Sequence, residues 1–365
     1  MLKEITPLIR KISNRENLSS EEVRNAFNIL ARKDIDGYYY LALTLGLMAK
    51  GPTVDELYGI CQSFRDRSVK LRPNIDPKKI TDLSGTGGDH LKTINVSTPA
   101  SFIVAGADVY VAKQSFKSFT GLTGSIDIFQ EFGINVPISS GDPKITEKCL
   151  KQVGIAPYYY PSFTKGFVNR VNFIIKMREI GLTYLTPYHL VAFAYSPIEM
   201  EARIYGVFSD KYLVILAKLL RKLRFKRGMT FHGVDGLDEI SNIGVTKICE
   251  FKDDKFSEYT IVPEELGIRK AKFEDIKAIS KEKNIIDFLR ILYGVEKGPK
   301  RDIVLINAGA SLYITGKVKT LKEGVQLAKS ILDERRASQK LETLVSFNGD
   351  LDKLKNWKEI AKIAI

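Results

Sequence analysis

The sequence has few of the features that mark disulfide-rich, metal-clustered or membrane-spanning proteins. Its 365 residues include only three cysteines, Cys61, Cys149 and Cys249, which are widely separated. Such a set builds neither a disulfide framework nor a CxxC metal site. The longest apolar stretch, YYYLALTLGLMAKG, is too short to span a bilayer, and the opening MLKEITPLIRKISNRENLSS has no apolar signal segment. These absences predict a cytoplasmic protein that does not enter a membrane.

The composition that remains is that of a folded globular chain. Hydrophobic residues make up 44% and charged residues 27%, and the length predicts about two domains. The formal net charge of +13 favours a partner rich in phosphate, either a nucleic acid or a small polyphosphate. The densest basic run, residues 221–227, ends the helical pattern DKYLVILAKLLRKLRF. Cations there also complement the dipole at a helix C-terminus.

The order of the patterns predicts a small N-terminal all-helical domain, residues 1–72, and a larger α/β domain, residues 73–365. LSSEEVRNAFNIL and GPTVDELYGICQSFRDRS carry helix start signals and helical spacing. The runs ITDLSG, DVYVAK, INVPI, MTFHG and DIVLINAG, separated by helical stretches, predict βαβ units and a mainly parallel sheet. A helical segment near residues 164–200 is predicted to return and pack against the opening helices.

The stretch SGTGGDHLKTINVST, residues 84–98, combines three glycines with many short hydroxyl side chains. It follows the predicted strand ending at Leu83. A glycine-rich turn between a strand and a helix gathers backbone N–H groups around one concavity, which suits phosphate. The stretch matches neither the GxxxxGK[ST] nor the GxGxxG pattern. From this motif alone, a tight turn without a ligand is an equal alternative.

A second anion-suited segment follows the next predicted strand. Lys113 ends VYVAK and precedes SFKSFTGLTGSID, which contributes more hydroxyl residues and two glycines. Two such loops at successive strand ends are what a ligand with two phosphate groups requires.

Four ordered blocks of the chain resemble the anthranilate phosphoribosyltransferase family. They are SGTGGDHLKTINVST, VAKQSFKSFTGLTGSIDIFQEFGINV, FHGVDGLDEIS and RDIVLINAGASLYITGKVKTLKEGVQLAKSILD. The opening helices also look like that family's, so the similarity covers nearly the whole chain. It implies a small helical domain beside a larger α/β domain, usually paired as a homodimer, and a relation to tryptophan biosynthesis. The chain is more distantly similar to the pyrimidine nucleoside phosphorylases.

The resemblance implies that ribose 5-phosphate is transferred from phosphoribosyl pyrophosphate to a small-molecule acceptor, with Mg²⁺. The matching positions for phosphoribosyl pyrophosphate are Gly85, Thr86, Gly87, Gly88, Asp89, Thr93, Asn95, Ser97, Thr98, Lys113, Lys117, Gly121 and Ser125. Those for magnesium are Ser97, Asp238 and Glu239, which offer the oxygen ligands that this ion prefers. Taken alone, the Asp238-Glu239 pair is more typical of a solvated helix start.

No residue is assigned as a nucleophile or a base. This is because, in such a transfer, the protein mainly has to neutralise the charge of the departing pyrophosphate and to hold the acceptor nearby. His90, His189 and His232 are isolated in the sequence, and we expect each to be a packed or capping histidine.

The acceptor side, assigned by the resemblance to Gln114, Phe116 and Arg178, departs from the family pattern. Where the family typically has Lys-His-Gly-Asn-Arg, this chain has KQSFK at residues 113–117, and AFAYSP at residues 192–197 replaces a Gly-Pro-Leu-x-Asn-Pro block. The arginine expected to pair with the anthranilate carboxylate falls near Arg178, although Met177 and Glu179 fit other alignments. His90 and Lys92 add bulk and charge to the first loop.

These departures predict an acceptor other than anthranilate, because a site selects its substrate through buried polar partners. Phe116, Phe119, Phe193 and the tyrosines of YYYP, residues 158–161, are candidates to line a pocket for a flatter or less acidic acceptor. Core packing is the favoured alternative for Phe119 and the tyrosines. A nucleoside phosphorylase, and a non-catalytic nucleic-acid binder that uses Lys92, Lys117 and residues 221–227, remain as alternatives.

Overall fold

The computed structural model describes residues 3–33, 36–88, 91–117, 123–136, 141–179, 181 and 185–363, without the side chains of residues 168–172. The chain opens with four helices, α1 (Thr6–Ser13), α2 (Ser20–Lys33), α3 (Tyr38–Lys50) and α4 (Val54–Arg67). Helix α4 begins with a capping box, in which the Thr53 side chain accepts the N–H of Glu56 and the Glu56 carboxylate accepts the N–H of Thr53. Within the described ranges, no helix is long and apolar enough to cross a membrane.

Two sheets meet along one extended segment. The strands are β1 (Ile80–Thr81), β2 (Leu83–Gly85), β3 (Tyr110–Gln114), β4 (Ile155–Tyr158), β5 (Ala202–Gly206), β6 (Arg227–Gly233), β7 (Thr246–Lys252) and β8 (Lys255–Ile261). One sheet has the order β1-β3-β4 and the other β2-β5-β6-β7-β8. All pairs are parallel except β6 with β7 and β7 with β8. Asp82 lies between β1, an edge strand of the first sheet, and β2, an edge strand of the second, so the chain passes directly from one sheet to the other.

Twelve further α-helices follow in the described part of the chain. They are α5 (Ser97–Gly106), α6 (Ser125–Glu131), α7 (Pro143–Val153), α8 (Phe167–Glu179), α9 (Pro187–Val191), α10 (Leu213–Lys222), α11 (Phe273–Ile276), α12 (Lys281–Leu292), α13 (Pro299–Ile314), α14 (Leu321–Asp333), α15 (Arg336–Asn348) and α16 (Leu351–Ile360). The strands β4 and β5 are buried along their whole length, as parallel strands covered on both faces are. The predicted fold, a small helical domain and a larger α/β domain with a mainly parallel sheet, is confirmed.

An aromatic cluster joins the opening helices to the α/β domain. Phe64 of α4 is fully buried, and its ring centroid lies 5.3 Å from that of Phe167 in α8 and 5.2 Å from that of Tyr188 in α9. Tyr160 and Tyr195 pack against the same ring at 5.7 and 6.2 Å. The segment that carries α8 and α9 therefore packs against the opening helices.

Two of the five predicted strands are not strands where the structure describes them. DIVLINAG lies inside the helix α13, so this prediction was wrong. Pro299 begins the helix, and the apolar run continues to Ile314 with nearly every residue buried. A short apolar run does not distinguish a buried strand from a buried helix. In INVPI, residues 134–136 form no strand, and residues 137 and 138 lie outside the described residues.

The basic run at residues 221–227 spans the end of α10 and the start of β6. Arg221 donates to Asp254 at 2.9 Å, and Lys222 forms an ion pair with Asp55 of the helical domain. Both cations lie in the last turn of α10, where they oppose the negative end of the helix dipole. Part of this run therefore has a structural role.

Candidate functional site

A cavity of about 250 Å³ opens at the carboxyl ends of β2, β3, β5 and β6. Fourteen of the eighteen predicted site residues line it: Gly85, Thr86, Gly87, Gly88, Thr93, Asn95, Ser97, Lys113, Gln114, Phe116, Lys117, Ser125, Asp238 and Glu239. Asp89 and Gly121 lie outside the described residues. Thr98 and Arg178 are described but do not belong to the lining. Parallel strands end at one edge, and this explains why residues so distant in sequence meet there.

The glycine-rich turn after β2 is held by the protein itself. The N–H of Thr86 donates to the carbonyl of Gly206 at 2.8 Å, and its hydroxyl accepts the N–H of Phe208 at 2.9 Å. Gly87 and Gly88 have φ values of 61° and 81°, a left-handed conformation that glycine adopts without strain. The loop is therefore fixed in position at the mouth of the cavity.

Asp238 closes over this turn. Its Oδ2 accepts the N–H of Gly87 at 2.8 Å. A Cβ atom at Gly85 or Gly206 would overlap Asp238, so both glycines are needed for the close approach. Burial raises the pKa of Asp238, against the lowering effect of the Gly87 N–H and of a hydrogen bond with Glu239. Residues 238 and 239 lie in a loop, so interpreting this pair as a solvated helix start was wrong.

Lys113 is the most buried cation of the cavity. It is 2% exposed, and its Nζ donates to the carbonyl of Leu83 and, at 3.2 Å, to the hydroxyl of Ser97. Burial lowers the pKa of Lys113 to about 8, although the Asp82 carboxylate opposes this effect. A cation held in place at low dielectric acts strongly on an incoming phosphate.

Two asparagines that the sequence did not single out hold the donor side of the cavity together. Asn284 of α12 accepts the N–H of Asn95 at 2.9 Å and donates to the hydroxyl of Thr123 at 2.6 Å, so it links the two anion-suited loops. Asn307 of α13 exchanges hydrogen bonds with both backbone groups of Ile240, next to Glu239. Asn284 stands in a helical pattern and Asn307 in the run DIVLINAG that the sequence predicted as a strand, and neither local pattern marks the asparagine as part of a site.

Gln114 and Phe116, which the sequence assigned to the acceptor side, line the same cavity together with His189 and Phe193. The rings of Phe116 and Phe193 have centroids 4.6 Å apart, and Tyr159 packs edge-on against Phe116 at 5.1 Å. Gln114 is 1% exposed and donates from Nε2 to the carbonyl of Ala192 at 2.7 Å. Phe116 and Phe193, which the sequence predicted to line a pocket for the acceptor, thus form an aromatic wall of the cavity. We call it the acceptor wall after that prediction.

The histidines and tyrosines behave largely as the sequence predicted. His189 caps α9, because its Nδ1 accepts the N–H of Thr186 at 3.0 Å. His232 is buried, with Nδ1 2.7 Å from the carbonyl of Val207. The prediction of packed or capping histidines is confirmed for these two, and His90 lies outside the described residues. Tyr158, Tyr159 and Tyr160 are buried in the core, while Phe119 is not described.

A buried ion pair that the sequence did not reveal lies directly beneath this wall. Asp82, at the break between β1 and β2, accepts from Arg203 of β5 at 2.6 Å, and both side chains are fully buried. The Asp82 carboxylate also accepts the N–H of Gln114 at 3.4 Å, and Arg203 donates to the hydroxyl of Ser84 at 2.8 Å. A buried pair needs such additional hydrogen bonds to offset its desolvation.

Two predicted residues stand apart from the cavity. Arg178 is exposed on α8, and so is not placed with the acceptor wall. Thr98 is fully buried in the first turn of α5, where its N–H donates to the Asn95 side chain at 3.2 Å. Their assigned roles stay predictions.

The oxygen groups of Ser97, Asp238 and Glu239 fit magnesium as a partial ligand set. Among the described residues, no group of three His, Cys, Asp or Glu side chains could hold a metal ion without other ligands. Magnesium commonly binds through one or two carboxylates and completes its shell with substrate phosphates and water. The residues present suit that arrangement.

The chain matches two family descriptions over most of its length. Residues 6–68 match "Glycosyl transferase family, helical bundle domain" and residues 77–338 match "Glycosyl transferase family, a/b domain". An anthranilate phosphoribosyltransferase of Methanococcoides burtonii is 35% identical over 93% of this chain and 93% of its own length. One from Acetivibrio thermocellus is 32% identical over 93% of this chain and 95% of its own length.

Solved structures give the same answer. Anthranilate phosphoribosyltransferase from Thermus thermophilus superposes with a TM-score of 0.83 at 28% identity, covering 93% of this chain and 98% of that one. The Saccharomyces cerevisiae enzyme, solved with PRPP and Mg, has a TM-score of 0.81 at 19% identity, covering 98% of this chain and 99% of that one, and shows the shared fold. The chain therefore belongs to the glycosyl transferase family of the anthranilate phosphoribosyltransferases.

Proposed function

We propose that the protein transfers ribose 5-phosphate from phosphoribosyl pyrophosphate, with Mg²⁺, to a small acceptor other than anthranilate. The observation that carries the proposal is that one cavity gathers the turn at Gly87, the hydroxyl of Ser97, the ammonium group of Lys113 and the carboxylates of Asp238 and Glu239. Relatives that are 32–35% identical are anthranilate phosphoribosyltransferases. One more distant homologue was solved with PRPP and Mg.

In the proposed reaction, no side chain of the protein forms a covalent bond with the substrate. A bond forms between an acceptor nitrogen and C1 of the ribose, the bond from C1 to the pyrophosphate oxygen breaks, and the nitrogen loses its proton to solvent or to the departing pyrophosphate. Lys113 stabilises the negative charge that develops on the leaving group. When bound, magnesium would neutralise part of the same charge, and Ser97, Asp238 and Glu239 would hold it.

Calorimetric titration of phosphoribosyl pyrophosphate, with and without Mg²⁺, tests the proposal in the wild type and in Asp238→Asn/Glu239→Gln. The amides remove charge and keep size, and an asparagine oxygen at position 238 can still accept the N–H of Gly87. We expect the double variant to lose at least about tenfold in magnesium-dependent affinity. Asp254→Asn, which changes an exposed carboxylate paired with Arg221, should bind as the wild type does.

No binding of phosphoribosyl pyrophosphate to the wild type would contradict the proposal. DNA titrated at several salt concentrations then tests the nucleic-acid alternative, for which affinity falls steeply with salt. Phosphate-dependent cleavage of nucleosides tests the phosphorylase alternative. The homodimer that the resemblance implies stays a prediction, and analytical ultracentrifugation measures it directly.

A further inference from the structure

A short antiparallel contact brings Lys277, which the sequence did not single out, to the edge of the cavity. Lys277 lies opposite Thr93 in this contact. One flanking hydrogen bond runs from the N–H of Ile94 to the carbonyl of Ile276 at 3.0 Å, and the other, from the residue after Lys277, ends on the carbonyl of Lys92 at 2.9 Å. In an antiparallel pair flanked in this way, the two side chains stand on the same face with Cβ atoms about 5 Å apart. The Lys277 side chain therefore stands beside that of Thr93, which lines the cavity.

Lys92 and Lys277 carry charges that the protein itself does not neutralise. Lys92 is a lining residue of the cavity, and both side chains are exposed. Within the described ranges, neither lysine forms an ion pair, whereas Lys281 and Lys283, in the helix that follows, each pair with a carboxylate. Two unpaired cations beside the opening are thus available to a ligand that arrives from solvent.

The charges inside the cavity explain why cations at its opening matter. The lining includes the carboxylates of Asp238 and Glu239, which repel a polyanion that magnesium has not yet neutralised. Lys113 is already engaged with the carbonyl of Leu83 and the hydroxyl of Ser97. Exposed cations attract an anion over about 8 Å at physiological ionic strength, and a cluster of them raises its local concentration.

We propose that Lys92 and Lys277 form a cationic rim that captures the phosphate groups of phosphoribosyl pyrophosphate as the donor enters the cavity. This inference rests on the proposed function and adds two binding residues to the donor side of that site. Because both ammonium groups lie in water, their attraction is long-ranged and is screened by salt. Lys277 lies far from Thr93 in sequence, so no local pattern connects it with the glycine-rich turn.

Calorimetric titration of phosphoribosyl pyrophosphate at constant, saturating Mg²⁺ and increasing salt concentration tests the rim. At about 50 mM salt we expect Lys277→Met to bind the donor roughly threefold to tenfold more weakly than the wild type, and the difference to vanish near about 1 M salt, where the screening length is about 3 Å. Lys92→Met should behave in the same way. Lys277→Arg keeps the charge and should keep the wild-type affinity.

Lys272→Met is the matched control, because it removes an equal charge from an exposed residue of the same segment that does not belong to the cavity lining. It should bind as the wild type does. All of these residues are exposed, and thermal unfolding at the wild-type temperature verifies that the variants fold.

Three results would overturn the inference while leaving the proposed function intact. They are wild-type affinity of Lys277→Met at low salt, an equal loss in Lys272→Met, and a loss in Lys277→Met that persists in full at high salt. If the wild type does not bind phosphoribosyl pyrophosphate at any salt concentration, the proposed function fails and the inference fails with it.

Discussion

At the scale of single residues, Lys113 lines the cavity proposed to bind phosphoribosyl pyrophosphate, and its burial destabilises the folded protein. A lysine that is 2% exposed must give up most of its hydration, and burial lowers its pKa to about 8. Below about pH 8, Lys113 is protonated in both the folded and the unfolded chain, and the folded protein bears the full desolvation cost of the buried ammonium group. Between about pH 8 and the ordinary value of 10.5, the unfolded chain binds more protons at this residue, so the contribution of Lys113 to stability improves as pH rises.

We therefore expect the free energy of unfolding of the wild type to rise relative to that of Lys113→Met between pH 8 and pH 10.5. The rise should reach about 3 kcal/mol, an order-of-magnitude value taken from the displaced pKa. Urea unfolding of both proteins at intervals across this range measures it. Lys92→Met changes an exposed lysine of the same cavity and should give a nearly constant difference. Parallel curves for the wild type and Lys113→Met would contradict the prediction.

At the scale of elements, helices α13 and α14 pack closely through two glycines, and this contact supports the cavity. A Cβ at Gly309 would lie 2.6 Å from the nitrogen of Val325, and one at Gly324 would overlap the backbone of Gly309. The two helices thus cross backbone against backbone. Asn307, two residues before the crossing, holds the segment that follows Asp238 and Glu239. Displacing α13 therefore moves one support of the carboxylates that we propose to hold magnesium.

Gly309→Ala should force the helices apart, because a well-packed crossing has no room for a methyl group. We expect a loss of about 1–3 kcal/mol in the free energy of unfolding and weaker magnesium-dependent binding of phosphoribosyl pyrophosphate. Thermal unfolding and calorimetry measure the two effects. Lys329→Ala, on the exposed side of α14, should change stability by less than about 0.5 kcal/mol. Full stability of Gly309→Ala would show that the crossing relaxes easily.

At the scale of the whole molecule, the helical domain reaches the cavity through aromatic packing. Phe64 of α4 contacts Tyr188 of α9, and the next residue, His189, lines the cavity. Phe64 also packs against Tyr160, which lies 6.3 Å from Phe116 between ring centroids. The position of the acceptor wall thus depends on how the two domains pack together.

Phe64→Leu should loosen this junction and weaken binding of the acceptor probe, with little effect on phosphoribosyl pyrophosphate. We expect a stability loss of about 1–3 kcal/mol, typical of a shape change in a core, and a several-fold weaker binding of 2-aminobenzamide, a neutral aromatic amine used as the acceptor probe. Phe251→Leu is a matched control, since Phe251 is equally buried but lies in β7, away from the cavity lining. It should lose similar stability and keep probe affinity. If both variants weakened binding of the probe equally, the prediction that Phe64 links the helical domain to the acceptor wall would be contradicted.

The sequence by itself determined the fold class and most of the donor side. Helical spacing with capping signals, short apolar runs and the order of four glycine- and hydroxyl-rich blocks are local patterns, and fourteen predicted residues meet in one cavity. Tertiary structure alone decided the rest. DIVLINAG is part of helix α13, and because nearly all of its residues are buried the run lacks the polar face that marks a helix in a sequence. The Asp82–Arg203 pair, the hydrogen bonds of Asn284 and Asn307 and the bond from Gln114 to Ala192 join residues far apart in sequence, and local patterns carry no information about such contacts.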